Sequence, residues 1–445
     1  MSPFDSLPRP NIVFVFADQM RAQATGYAGN PCVQTPNLDR LATEGITFTT
    51  AVACCPVCTP YRASLLTGRY PLSTGMIIND LRLPEEEITI AQVLREAGYD
   101  TAYIGKWHLD GPERSGFTPP GPRRQGFDFW AVGNCTHQYF HSIYYRDTPD
   151  PLYWQGYDAH AQTRLAIEYI RTHGQERPYC LFLSWGPPHN PYREVPQKYL
   201  QLYDPEQIYV RPNVPKADRE SLAGYYAHIT ALDEALGWLL SALEESGQAE
   251  RTIFVFTSDH GDMLGSQGVW RKQWPWDESI LVPLIIRYPA IQRGARIVST
   301  PFNVVDLMPT LLRLAHAPIP PSVEGNDLSH LLTGAPGPRP NSALIESIAP
   351  FGECPHCPEW RGIRTERFTY VKTLQGPWLL YDNLRDPFQL HNLVNDPDYS
   401  KLQDLLEQEL QQWLQRTKDE FLPAQAYRDR WGLIVDETNA IPYTP

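Results

Sequence analysis

Continuous apolar runs alternate along this chain with segments whose apolar residues recur every three or four positions. The runs at 11–17 (NIVFVFA), 101–105 (TAYIG), 179–185 (YCLFLSW), 252–257 (TIFVFT) and 282–288 (VPLIIRY) predict strands. A strand that is apolar on both faces belongs inside a sheet covered on both sides. Helical spacing predicts helices over 36–42, 89–97, 159–171, 218–245 and 304–315, with Gly45 and Gly98 as stops for the first two. Strands alternating with helices imply an α/β fold with a large, mostly parallel sheet. The Pro- and Gly-rich stretch 318–340 marks the passage to a smaller α+β unit. There 361–373 and 377–381 read as strands of a short antiparallel sheet, and 399–417 as an amphipathic helix. The chain thus divides into 1–335 and 336–445, with a tail from Phe421 that carries Tyr427, Trp431 and Tyr443 but little periodicity.

Composition narrows the functional classes. With 445 residues, 42% hydrophobic and 20% charged, the chain is of ordinary globular type and long enough for about two domains. A net charge of −13 argues against a nucleic-acid partner, which wants a basic face. It leaves an anionic small-molecule substrate open, because local cations can dominate a cleft. The first ten residues lack an apolar leader and no run approaches a membrane span, so the expected location is the cytoplasm. The eight cysteines are dispersed and do not read as a disulfide framework. Cys354-Pro-His-Cys357 has the spacing of half a zinc knuckle, but the second half is missing, and a structural loop is the expectation.

The polar residues with chemical potential fall mostly just after strands. Asp18-Gln19, Lys106-Trp107-His108, His189 and Asp259-His260 each follow one. In open α/β sheets that carboxyl edge is where ligands bind. Carboxylate, amide oxygen and imidazole are all ligands for a divalent cation. The run from Cys58 through Thr59, Pro60, Tyr61 and Arg62 reads as a helix start, and Gly68 as its stop. Pro60 suits a first helical turn, so Cys58 is expected at a helix N-terminus, where free N–H groups and the dipole favour an anion.

Cys58-Thr59-Pro60-Tyr61-Arg62 also resembles the Cys-x-Pro-x-Arg signature of the sulfatases, members of the alkaline-phosphatase-like superfamily. In that family a dedicated formylglycine-generating enzyme oxidises the cysteine to formylglycine, so the resemblance implies that Cys58 is not used as a thiol. An aldehyde hydrate offers two hydroxyls on one carbon: one attacks sulfur, and the other expels sulfate and restores the aldehyde. The same resemblance implies that Asp18, Gln19, Asp259 and His260 bind one divalent cation together with the residue at 58. Many sulfatases carry Asp-Asp and Asp-Asn at these two places. Asp-Gln with Asp-His looks instead like the choline-sulfatase and phosphonate-monoester-hydrolase branches. Calcium follows family habit, and the imidazole makes manganese a rival.

Three further segments match the family. Gly105-Lys106-Trp107-His108 implies charge stabilisation by Lys106 and contact of His108 with the hydrate, as base for sulfate release. Pro188-His189-Asn190-Pro191 implies a substrate-binding histidine, and Trp270-Arg271-Lys272 a sulfate-binding lysine; either side chain could serve the departing oxygen. Arg62 would complete the anion pocket. Asn79 stands where related branches place a polar residue on the metal or nucleophile. The resemblance covers nearly the whole chain and implies hydrolysis of a sulfate ester, with a phosphonate monoesterase or phosphodiesterase as the alternative. The aromatic segments 125–130 and 139–145 are expected either to line a sugar, aryl or quaternary-ammonium subsite or to pack as a surface loop. The tail is a candidate cover for the cleft, or for a neighbour's cleft in a homo-oligomer.

Overall fold

The computed structural model describes residues 7–352, 354 and 356–444. Residues 1–6, on which part of the N-terminal reading rests, and Pro355 of the Cys354–Cys357 run lie outside the described residues. The centre is an eight-stranded sheet. In chain order its strands are β1 (Asn11–Asp18), β2 (Ile46–Phe48), β3 (Asp100–Lys106), β4 (Phe129–Gly133), β5 (Tyr179–Pro188), β6 (Thr252–Ser258), β7 (Leu284–Arg287) and β8 (Arg296–Val298). The spatial order is β8-β2-β7-β6-β1-β5-β3-β4. β1 pairs in parallel with β6, Asn11 against Thr252 through Ala17 against Ser258, and with β5 on its other side.

The apolar run of β1 divides between two cores because successive side chains point to opposite faces. Ile12, Phe14 and Phe16 pack on one face with Leu65, Leu94, Leu311 and Leu344. Val13, Val15 and Ala17 pack on the other with Leu38, Ala166, Leu232 and Leu236. The covering helices are α1 (Pro36–Glu44), α2 (Cys58–Thr67), α3 (Ile90–Glu96), α4 (Asp158–Thr172), α5 (Arg219–Glu245) and α6 (Leu307–Leu314). Thr89 caps α3 through a reciprocal pair with Gln92, and Gly68 closes α2 at φ +64°.

One strand departs from the parallel scheme: β7 runs antiparallel to both β6 and β2. The link from β6 to β7 holds only single turns of helix, such as Asp277–Ile280, in place of a long crossover helix. Residues 259–283 stay at the carboxyl edge, so the chain re-enters the sheet from the side on which it left. The aromatic stretch 125–130 is core rather than subsite. Phe127 and Trp130 are buried with Tyr103 and Trp107 in edge-to-face and tilted contacts of 4.9–5.9 Å, and β4 begins at Phe129.

The C-terminal unit is an antiparallel meander of β9 (Ser342–Ser347), β10 (Trp360–Thr365), β11 (Phe368–Thr373) and β12 (Gly376–Asp382). A turn at Glu366-Arg367 splits the stretch 361–373 into two strands. α7 (Ser400–Arg416) covers it with Leu406, Leu410 and Leu414, spaced four apart on one face. Each such burial is worth roughly 1.5–3 kcal/mol. The tail holds α8 (Ala424–Arg430), seven residues long and too short to show a period. Among the described residues no helix is long and apolar enough to cross a membrane.

Candidate active site

The site gathers at the carboxyl edge of β1, β3, β5 and β6. Cys58 is the first residue of α2, a helix buried along its whole length. Asn79 Oδ1 accepts from Thr59 N–H at 2.9 Å, so Asn79 serves the open end of this helix. The parallel register of β1 and β6 brings Asp18 and Asp259 together, with Asp259 N–H on the Ala17 carbonyl at 3.1 Å.

Asp18, Cys58, Asp259 and His260 each place a ligand atom within 4.8 Å of the others, all of them buried. His260 Nδ1 lies 3.0 Å from the Gly261 carbonyl, which can only accept, so Nδ1 carries a proton; Nε2 faces the cluster, 3.2 Å from Cys58 Sγ. Gln19 donates its Nε2 to Asp262 at 2.6 Å, and its Oε1 is buried with no hydrogen-bond partner. A buried, orphaned amide oxygen beside two carboxylates and an imidazole Nε2 is a donor set that fits a divalent cation. The electrostatics agree. Burial and the negative charge of Asp18 push Asp259 above the usual carboxylate range. Burial also works against Asp18, but Lys106, Lys272 and Arg62 outweigh it and hold Asp18 well below its ordinary value.

Cations ring Cys58. Lys106 is ion-paired with Asp18, and Lys272 Nζ lies 3.0 Å from Cys58 Sγ. Burial and Asp18 oppose ionisation of the Cys58 thiol, yet Lys272, Lys106 and His260 bring it well below its ordinary value. Lys272 Nζ is also 3.4 Å from His189 Nε2, while His189 Nδ1 contacts the Asn190 carbonyl at 2.8 Å. The carbonyl requires the imidazole proton on Nδ1, and burial, His137 and Lys272 hold His189 well below its usual range. In this pair the proton therefore resides on Lys272.

Arg62 is placed otherwise than expected. Its Nε and Nη2 bind Asp259 Oδ2 at 3.2 and 3.0 Å, and Nη1 binds the Lys106 carbonyl and Ser184 Oγ, each at 2.8 Å. Its donors hold the carboxylates of the site and do not line the cavity. Lys106 ends β3, but the chain then turns at His108, whose φ of +55° breaks the extended run assumed for the pair.

A cavity of about 340 Å³ opens over Cys58. Asn79, His108, His189 and Lys272 line its floor side, and Phe351, Asp436, Thr438 and Tyr443 bring the C-terminal unit and the tail to its wall. Four residues at the site escaped the reading of the sequence: Asp80, Arg114, His137 and Asp262. Asp262 stands two positions past His260 and orients Gln19, a signal present in the run itself. His137 stacks on His189 with ring centroids 4.1 Å apart, a contact no spacing announces. Tyr139, from the second aromatic segment, is buried and donates its hydroxyl to the His189 carbonyl at 2.6 Å. Cys354 and Cys357 are buried free thiols against the carbonyls of Lys272 and Gln273.

Residues 10–317 match the sulfatase family model, and residues 265–416 match the model described as N-sulphoglucosamine sulphohydrolase, C-terminal. An ulvan-active sulfatase of Formosa agariphila is 45% identical over 451 aligned residues, 99% of this chain and 88% of the relative. A structure solved in complex with its substrate D-glucosamine-2-N,6-O-disulfate superposes with a TM-score of 0.84 at 25% identity, covering 94% of this chain and 99% of that one. The phosphonate monoester hydrolase of Agrobacterium radiobacter, also 25% identical, reaches 0.73 over 93% of this chain and 97% of that one. With the fold, the strand-edge cluster and the family match in agreement, the chain belongs to the sulfatase family and is a sulfuric ester hydrolase.

Proposed function

We propose that this protein hydrolyses sulfate esters carried on carbohydrate, with a formylglycine made from Cys58 as nucleophile and one divalent cation held by Asp18, Gln19, Asp259 and His260. The observation that supports this most is the setting of Cys58, with Lys272 Nζ at 3.0 Å, His260 Nε2 at 3.2 Å and both Asp18 oxygens at 3.8 Å. Relatives that act on ulvan and on a glucosamine disulfate support a sugar leaving group, as does a cavity of a size typical for small-molecule sites. The phosphonate alternative has weaker support, since at equal identity its fold superposes less closely.

Formylglycine supplies a hydrated carbon with two hydroxyls, one to attack sulfur and one to expel sulfate. The cation supplies Lewis acidity toward an anionic oxygen and makes a neighbouring hydroxyl more acidic. Calcium suits the oxygen donors of Asp18, Gln19 and Asp259, and the His260 nitrogen leaves manganese as the rival. Arg62 locks Asp259 and, through Ser184 and the Lys106 carbonyl, ties α2 to β3 and β5. Lys106 neutralises Asp18. Lys272 holds a proton beside the nucleophile and His189, and is the group placed to donate it to the departing oxygen. Burial and Lys106 work against a charge on His108, but Cys135 and Asp80 overcome them and lift it to about 10. At neutral pH His108 therefore meets an anionic ester as a cation.

Cys58 is 1% exposed in a helix that is buried throughout, so the maturing enzyme must act before α2 packs. Peptide mass spectrometry of protein co-expressed with a formylglycine-generating enzyme tests the nucleophile. A panel of sugar sulfates, an aryl sulfate and an aryl phosphonate tests the leaving group. An unconverted Cys58 in active protein, or a higher kcat/KM on the phosphonate, refutes this reading.

A further inference from the structure

Asp80 joins three parts of the active-site cavity. It is buried, and its Oδ1 lies 3.0 Å from His108 Nε2. Arg114 grips the same carboxylate twice, Nε to Oδ1 at 2.8 Å and Nη2 to Oδ2 at 2.7 Å. Arg114 is itself held by the tail. Its guanidinium carbon lies 3.4 Å from the ring centroid of Tyr443, and its backbone N–H donates to the Thr444 carbonyl at 2.9 Å.

Thr59, the residue after Cys58, pins both partners to the nucleophile helix. Its hydroxyl donates to the His108 carbonyl at 2.8 Å and accepts from Asp80 N–H at 3.3 Å. Asp80 and His108 both hold left-handed backbone angles, φ +66° and +55°. Residues with a side chain rarely adopt that conformation, and it persists where the surroundings over-determine it.

We propose that Asp80 is a positioning residue for the reaction: it fixes the ring of His108 through Nε2 and leaves Nδ1 as the nitrogen that exchanges a proton, while Arg114, clamped by the tail, fixes Asp80. This rests on the sulfatase reading of the site. A carboxylate that orients an imidazole sets both its orientation and its charge, which is the general logic of an acid–base group held by a third group. His108 Nε2 is engaged by Asp80, while Nδ1 is buried with no hydrogen-bond partner. The groups that face the ring are Asp80, Lys106 and Cys135, with Arg114 acting through Asp80. Asp80 and Arg114 therefore have opposite effects on the proton affinity of His108. Loss of the carboxylate lowers it, and loss of the guanidinium that neutralises the carboxylate raises it.

The test uses the matured, cation-loaded full chain with Asp80→Asn and Arg114→Gln. Turnover of 4-nitrophenyl sulfate is followed against pH, and the His108 imidazole is titrated by nitrogen NMR. Asp80→Asn is expected to lower kcat by about 10²- to 10⁴-fold with little change in KM, the range of a misplaced acid–base group. It should also lower the proton affinity of His108 in the titration by about tenfold or more. Arg114→Gln should raise it. A structural defect produces no such pair of opposite changes. Titrations that stay in place in both variants, or move the same way, overturn the proposal. If Asp80→Asn does not fold, the direction of the Arg114→Gln change decides alone. A wild-type protein with no sulfatase turnover would refute the functional reading, and the NMR titrations would still decide the role of Asp80.

Discussion

Two of the buried ionic clusters among the described residues are built on opposite terms. In the C-terminal unit Arg361 is enclosed between Asp419 and Glu346, with Nη1 on the carbonyls of Ser347 and Trp360 at 3.1 Å and Phe421 4.7 Å from its guanidinium. Burial pushes Glu346 up to about 8, so at neutral pH it takes a proton and the cluster closes as one cation with one anion. At the edge of the main sheet Asp18 and Asp259 share a site with Lys106, Lys272 and Arg62, and Asp259 is raised by burial and its neighbour's charge. That cluster borders a cavity; the Arg361 cluster is sealed. A scaffold cluster neutralises itself, whereas a binding cluster leaves charge for a ligand to complete.

The largest expected effect separates the two clusters by function. Cys58→Ala should lower turnover by at least about 10⁴-fold, the scale on which loss of a nucleophile is felt, with the thermal melt unchanged. Retained activity within an order of magnitude would erase the distinction. Arg361→Met should do the reverse. It leaves Asp419 buried without its cation and should cost about 3–5 kcal/mol of stability in a urea titration, while kcat per folded molecule stays near wild type.

Removing the divalent cation with a chelator asks whether the clusters are independent. It should abolish turnover and lower the melting temperature, and re-addition should restore both. At a hundredfold excess over Kd a bound ligand contributes about 2.7 kcal/mol. Arg361→Met and the wild type should lose the same increment, since the C-terminal cluster does not face the cation. An increment confined to one of them would show that the clusters communicate.

The effect with the narrowest reach, on stability alone and only across one pH window, concerns Asp158, a buried carboxyl at the start of α4. Burial raises it to about 7 against the pull of the Ser142 hydroxyl and the helix N–H groups. A carboxyl whose folded value is raised is neutral in the fold. Its contribution is fully present below the unfolded value near 4 and is lost as pH rises through 7. Asp158→Asn cannot titrate, so its stability relative to wild type should increase between pH 4 and pH 7 and then level off. The difference is bounded at about 4 kcal/mol, the free energy of a thousandfold change in proton affinity. A pH-independent difference in melting temperature would show that Asp158 is paired after all.

The strand-edge residues were legible because they sit beside patterns that are local. Asp18 follows NIVFVFA and Asp259 follows TIFVFT, so each is read as the end of a buried strand. Asp80, Arg114 and His137 were not legible. They lie in turns and loops, and what makes them part of the site is contact with His108, Tyr443 and His189, reached only through the fold. Arg62 was legible as a site residue, but its task was not: the motif places it one turn from Cys58, and only β6 places it on Asp259.

The order of residues alone was enough to locate five of the eight central strands and the main covering helices, to require a sheet covered on both faces, and to name the helix that presents Cys58. Each of these follows from the spacing of apolar side chains along a few consecutive residues. The short strands β2, β8 and β9 carry too few apolar residues in a run to announce themselves, and β4 begins inside the aromatic stretch 125–130. Long-range contacts were needed for the direction of β7, the burial of the 125–130 aromatics, the wrapping of the tail onto the cavity, and the balance of the buried charges. Those depend on atoms brought within a few ångströms from opposite ends of the chain, where water is excluded and a single neighbouring charge sets whether a group holds its proton.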